Sequence, residues 1–302
     1  MRRWKPQPSK RLWVAVALLV IAALGAISLF TRVGMALAQP PEQWPIDLVL
    51  YLQLLGGLGL LLITGQVAYR VAAAFTLAYG VDRNGFYIFW LGNRAVVPLA
   101  QIESVESAAS VAKGSLARRI GYYYGRVSLA DGRQAHRFST APMAHALILH
   151  TPGDSYVISP DTSESFVQEL EQRRRLGVIQ QLTSGVEVGR MFFYAFWEDQ
   201  VVRVALVVAV GLSLALVGWL AAIYPGLTPM IDLRTDAAGV AEALRPRHQI
   251  LFLPLAAIAI LLINVGFGLS LYGRSPNGAR LLQIASALVQ VLFAVAVLTI
   301  IR

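Results

Sequence analysis

The chain contains no cysteine. Disulfides, iron–sulfur clusters, thiolate zinc sites and cysteine nucleophiles are therefore excluded, and the redox compartment stays open. Charge is scarce too: 14% of the 302 residues are charged, against about 25% in soluble domains. Intrinsic disorder is excluded from the opposite side, because 56% of the residues are apolar and disordered chains are poor in such residues. Motifs of familiar chemistry are also missing. There is no Gly-x-Ser-x-Gly elbow, no His-Glu-x-x-His and no phosphate loop. Gly56-Gly57-Leu58-Gly59 lacks the Lys and Ser/Thr of a phosphate loop and lies in an apolar run, where small residues let helices approach closely. His145 and His150 are five apart near one expected strand, an odd spacing that puts them on opposite faces. With His136 they read as ordinary histidines, and neither metal, cofactor nor catalysis is expected.

What is present is basic and apolar. A net charge of +9 suggests nucleic acid until it is located. Arg2, Arg3, Lys5, Lys10 and Arg11 crowd the N-terminus, while residues 81–200 carry equal numbers of basic and acidic groups. The excess sits beside apolar runs and forms no stripe on a folded face, which argues for membrane orientation and against nucleic acid. Spanning a bilayer takes about 20 apolar residues. Leu12–Phe30, Leu48–Val67, Val204–Ile223, Ile250–Leu271 and Leu281–Ile301 qualify, and none contains Asp, Glu, Lys or Arg. The first also fits a signal sequence, although Ala36-Leu37-Ala38-Gln39 only loosely resembles a cleavage site. The distribution of Lys and Arg places the N-terminus inside and the C-terminus outside the cytoplasmic membrane. Trp13, Trp44, Trp197, Trp219, Tyr51, Tyr69 and Tyr224 lie near span ends as headgroup-level anchors. Pro254 falls inside the fourth run, positioned to kink it.

Between the second and third runs the pattern changes to two-residue alternation. Ala74–Val81, Phe86–Leu91, Arg94–Pro98, Arg126–Leu129, Gln134–Ser139, Ala146–His150 and Tyr156–Ser159 read as short strands. Asn84-Gly85 reads as a tight hairpin turn with positive φ. Asp161-Thr162-Ser163-Glu164 reads as a capping box that opens a helix. Phe166, Val167 and Leu170 give that helix its apolar face, Arg173–Arg175 occupy its last turn, and Gly177 stops it. The fold class is thus an α+β membrane protein, with five transmembrane helices and an inserted bent antiparallel β-sheet closed by a C-terminal helix. Residues 1–73 form a basic tail and two spans, and 74–176 a cytoplasmic domain expected to fold alone. Residues 177–202 form an amphipathic, interfacial connector containing Met191–Trp197, and 203–302 three spans.

Val97-Pro98-Leu99-Ala100-Gln101-Ile102-Glu103-Ser104-Val105, Gly121-Tyr122-Tyr123-Tyr124-Gly125, Phe138-Ser139-Thr140-Ala141 and Tyr156-Val157-Ile158-Ser159-Pro160-Asp161 together resemble the bacterial pleckstrin-homology-like (PH-like) domain family. The resemblance covers about 100 residues. It implies a seven-stranded bent sheet closed by a helix and no catalytic residues.

Two groups of candidate site residues follow from the residues themselves. Lys113, Arg118, Arg119 and Arg126 surround Tyr122, Tyr123 and Tyr124, a cationic and aromatic set suited to anionic headgroups or a protein partner. Asn264, Gln283 and Gln290 are polar groups inside the apolar runs, where they are costly. They serve either interhelical hydrogen bonds or a polar path. The expected function is a membrane-anchored PH-like interaction module that binds a protein partner or lipid headgroups of the bilayer at the cytoplasmic surface. The alternative is a small transporter or channel component with the β domain as its regulator.

Overall fold

The computed structural model describes residues 1–108, 123–129, 134–176, 185–187, 196–232 and 244–301. The chain forms two compact units, 1–25 with 60–189 and 26–59 with 190–302. Five helices are long and apolar enough to cross a membrane: α1 (Lys10–Leu37), α2 (Leu48–Thr76), α4 (Gln200–Ile223), α5 (Phe252–Tyr272) and α6 (Pro276–Ile301). Four of them contain the expected runs whole, and α5 begins two residues into the fourth run, after a short 3-10 helix at Arg247–Leu251. Pro254 lies near the start of α5, not in its middle. It falls in the first turn, where a missing amide hydrogen costs no helical bond.

The first unit holds the β domain. Its first sheet has the order β1-β2-β3-β4-β10, with β1 at Arg2–Trp4, β2 at Ala78–Val81, β3 at Gly85–Trp90, β4 at Asn93–Pro98 and β10 at Gly185–Glu187. Its second sheet has the order β5-β8-β9-β7-β6, from Ser104–Ser107 (β5), Tyr123–Ser128 (β6), Gln134–Ser139 (β7), Leu147–His150 (β8) and Ser155–Ile158 (β9). Helix α3 (Ser163–Arg175) follows. One large core joins both sheets to α3: Phe86 and Ile88 from the first, Phe138, Leu149 and Ile158 from the second, Phe166 and Leu170 from the helix. Tyr79 locks the sheets together. Its hydroxyl donates to the Phe138 carbonyl at 2.7 Å and accepts from the Ser159 amide at 3.1 Å, and burial pushes its pKa up.

Several local expectations change. The second sheet is not wholly antiparallel, because β7 and β9 run parallel. β9 lies between β7 and β8. Its antiparallel pairing with β8 sends it back in the direction of β7. The first strand starts four residues later than expected, since α2 runs on to Thr76, and β5 was not anticipated. Asn84-Gly85 does not supply a positive-φ turn. Asp82 builds that turn with its carboxylate, accepting from the amides of Asn84 and Gly85 at 2.8 Å each. The positive-φ pair lies one hairpin later, at Leu91 (φ 46°) and Gly92 (φ 76°) between β3 and β4, as a two-residue primed turn requires. The capping box does not form either. Thr162 is the N-cap of α3, but its hydroxyl takes no helix amide and accepts from Ser165 Oγ at 2.8 Å, while Asp161 accepts from the Thr162 amide.

In the second unit, α4, α5 and α6 pack around Phe196, Leu206, Ala209, Leu261 and Ala279. Glycine permits close approach at several places in this unit. A Cβ at Gly57 would meet the Phe30 ring at 3.2 Å, and one at Gly218 would meet the Tyr51 ring at 2.9 Å. The loop after α4 carries a two-stranded hairpin, β11 (Met230–Asp232) with β12 (Leu244–Pro246). Tyr224 is no headgroup anchor, being buried beneath the Arg247 guanidinium, 4.7 Å from its ring.

Candidate functional site

The N-terminal basic segment is part of the β domain. Arg2–Trp4 adds β1 to the edge of β2, pairing Arg2 with Val81, Arg3 with Gly80 and Trp4 with Tyr79. Trp4 is 5% exposed and meets Phe166 edge-to-face at 5.4 Å. The strap continues beyond the strand. The Asp161 amide donates to the Lys5 carbonyl at 3.0 Å and the Gln7 amide to the Ser159 carbonyl at 2.8 Å, while Thr140 Oγ1 donates to the Gln7 carbonyl. Arg2 pairs with Glu169 at 3.0 Å, and Arg3 lies over the Phe89 ring at 5.2 Å. Glu169 also takes Arg173 at 2.6 Å, and these bonds, that from Arg173 foremost, hold its carboxyl below the usual range. A lone Trp between two arginines and a proline-rich stretch carries no strand signal in the sequence. The burial of Trp4, next to two exposed arginines, is what places β1 in the fold.

The membrane end of the domain is equally integrated. Ala73 and Ala74 of α2, with Leu77, belong to the same core as Trp4, Phe86 and Phe166. The end of α2 therefore shares the domain's core, with only Leu77 between it and β2. Beyond α3, the chain returns to the first sheet as β10, paired with Arg94–Val96 of β4, within the stretch read as an interfacial connector.

Of the expected basic–aromatic cluster, Lys113, Arg118, Arg119 and Tyr122 lie outside the described residues. Tyr123, Tyr124 and Arg126 fall on β6, the edge strand of the second sheet, opposite Ser139, Phe138 and His136. The histidines do not converge. His136 stacks on Tyr156 at 5.8 Å and faces Asp154 at 3.5 Å. His150 Nδ1 lies 3.1 Å from Ser155 Oγ, and His145 is in a short helical turn before β8. Among the described residues, no group of His, Asp and Glu could hold a metal ion.

The polar residues of the spans do converge, as a seam between helices. Asn264 Nδ2 donates to Ser286 Oγ at 2.9 Å, and Gln283 Nε2 to the Asn264 carbonyl at 2.9 Å. Gln290 Nε2 donates to the Ala257 carbonyl, and its Oε1 accepts from Ser213 Oγ, both at 2.8 Å. Gln283, Ser286 and Gln290 are buried. Each bond joins two of the helices α4, α5 and α6. Gly268 makes room for this seam, since a Cβ there would collide with Gln283 Nε2.

One cluster went unnoticed in the sequence. Asp199, 3% exposed, caps α4 by accepting from the amides of Val201 (2.9 Å) and Val202 (3.2 Å). It also accepts from Tyr272 Oη of α5 and Arg280 Nε of α6, both at 2.8 Å. A single carboxylate thus ties three helix ends together. Burial raises its pKa, but these donors, led by Arg280, outweigh that and hold the group below the ordinary carboxylate range.

A two-sheet β domain in a chain with five long apolar helices defines a multi-pass membrane protein. Residues 77–174 match the family described as "Bacterial PH domain". The match ends where α3 ends and leaves the five long helices outside it. No curated protein and no solved structure matches the chain.

Proposed function

We propose that the protein is a non-catalytic, membrane-anchored interaction module, whose PH domain binds a protein partner or anionic lipid headgroups at the cytoplasmic face of the inner membrane. One observation carries this reading: the end of α2 and the N-terminal strand are built into the domain core. A domain on a flexible linker gains only local concentration from its tether. A domain sharing a core with a membrane helix presents one fixed face to the bilayer or to a neighbour. The β1–β2 pairing also supports the topology. With α1 and α2 between them, the N-terminal segment and the domain stand on the same side of a membrane that both helices cross. The basic N-terminus makes that side the cytoplasm, and five crossings leave the C-terminus outside.

The polar seam supports this reading over transport, because Asn264, Gln283 and Gln290 each spend a hydrogen bond on helix packing. The test is a photoreactive residue at Tyr124 in the full-length chain, irradiated in native membranes. The expected products are adducts with lipid or with a second protein. Adducts confined to the chain itself would overturn the module reading.

A further inference from the structure

Within the first unit, the end of the N-terminal strap, the start of α1 and the end of α2 border an open cavity of about 690 Å³. That lies within the range of about 300–1,000 Å³ typical of small-molecule sites. Its lining combines Lys5, Gln7 and Lys10 with Leu12, Trp13 and Phe75. No acidic residue lines it among those described. Trp13 and Phe75 meet edge-to-face at 6.4 Å yet stay 68% and 60% exposed.

The cations at this place are not used by the fold. Arg2 is held by Glu169 and Arg3 by the Phe89 ring, whereas the side chains of Lys5 and Lys10 have no partner among the described residues. Lys10 opens α1, whose first turn contains no acidic residue. A cation there opposes the helix dipole, and an anion is what the position favours. The cavity also lies where polarity changes along the chain. Lys10 and Arg11 precede the apolar run of α1, and α2 emerges at Thr76 into the β domain. Aromatic rings at that level belong to the headgroup zone.

We infer that this cavity binds one anionic phospholipid of the cytoplasmic leaflet, with the phosphate between Lys5 and Lys10 and the upper acyl chain against Trp13 and Phe75. The inference rests on the membrane-surface reading above and gives it a specific ligand class and place. Headgroup contacts here would brace the strap that closes the domain's first sheet, so lipid charge would influence the domain itself.

The test uses the full-length chain in neutral detergent, with equal amounts of phosphatidylglycerol and phosphatidylcholine added and retained lipid counted by native mass spectrometry. One phosphatidylglycerol per chain is expected in preference to phosphatidylcholine. At about the energy of one surface cation per lysine, Lys5→Gln/Lys10→Gln should weaken retention about 30-fold, and each single variant about fivefold. Lys5→Arg/Lys10→Arg should retain the lipid. If the double variant loses its β circular dichroism, the single variants decide. Undiminished retention in the Gln variants overturns the site, and so does displacement by glycerol phosphate at the same concentration as lipid, which would make it a site for soluble anions. Absence of retention by the unaltered chain also overturns it, while the Tyr124 adducts decide the module reading separately.

Discussion

Replacing Trp4 with Ala is the most direct challenge to the view that the N-terminus belongs to the domain. The indole is 5% exposed and lies against Phe166 at 5.4 Å in an edge-to-face pair. It shares a core with Tyr79, Phe86 and Leu170. Removing a buried Trp side chain costs about 3–5 kcal/mol through lost transfer energy and the cavity left behind, part of which is the ring pair itself. Arg2→Ala is the natural comparison. It removes the Glu169 ion pair from the same strand, but Arg2 is 57% exposed, and exposed pairs contribute about 0–1 kcal/mol. Thermal unfolding of the full-length chain in detergent, followed by proteolytic release of the β domain, measures both. For a domain of this size, Trp4→Ala should lower the midpoint by roughly 10 °C or more and Arg2→Ala by a few degrees at most. Equal effects of the two substitutions would refute the argument, since they would mean that β1 is held by charge and not by the core. The same reasoning revises the expectation that 74–176 folds alone. That fragment lacks Trp4 and leaves the β2 edge open, so it should aggregate more readily than a fragment beginning at residue 1.

Asp199→Ala should destabilise the helical unit by about 2–4 kcal/mol, combining a lost cap with a lost charged acceptor whose partner Arg280 is 41% exposed; detergent melting reads this, and a change under about 0.5 kcal/mol would remove its role. Because its folded pKa is depressed, the stabilisation from Asp199 is present above the unfolded value near pH 4 and is lost as pH falls through the lower folded value. The melting curve should therefore drop more steeply below about pH 4 for the native chain than for Asp199→Asn, and parallel curves would contradict this. Gly268→Ala should cost about 1–3 kcal/mol by pushing the Gln283 amide off the Asn264 carbonyl; a neutral effect would show that the seam can re-form around a methyl group. Gln290→Leu should cost about 0.6–1.7 kcal/mol, the range for membrane hydrogen bonds, with folded yield intact.

The elements that could be read in the chain were those whose signal is local. Phe86–Trp90, with its run of aromatic and β-branched side chains, folds as a strand wherever it is covered, and Arg173–Arg175 fall in the last turn of α3 as expected. The elements that could not be read depend on partners far away. Nothing near Asp199 reveals that Arg280, 81 positions later, will meet it. Nothing near Trp4 reveals Phe166. The Asn84-Gly85 turn failed for a related reason: Asp82 offered the backbone a competing carboxylate acceptor, and the primed turn moved to Leu91-Gly92. The polar residues Asn264, Gln283 and Gln290 could be singled out because polarity in hydrocarbon is costly. Their choice between a path and a set of helix pins was not legible, because it depends on which carbonyl each amide reaches.

Length and polarity alone account for the five apolar rods, the neutral β insert and the positive N-terminal end, because water and hydrocarbon sort residues by composition whatever their neighbours. Packing settled the rest. It turned a basic tail into an edge strand, joined α2 to the domain core without a linker, and used one carboxylate to hold three helix ends. These outcomes depend on close contacts between segments distant along the chain, and contact energies of that kind arise only once the backbone has brought the segments within a few ångströms of each other.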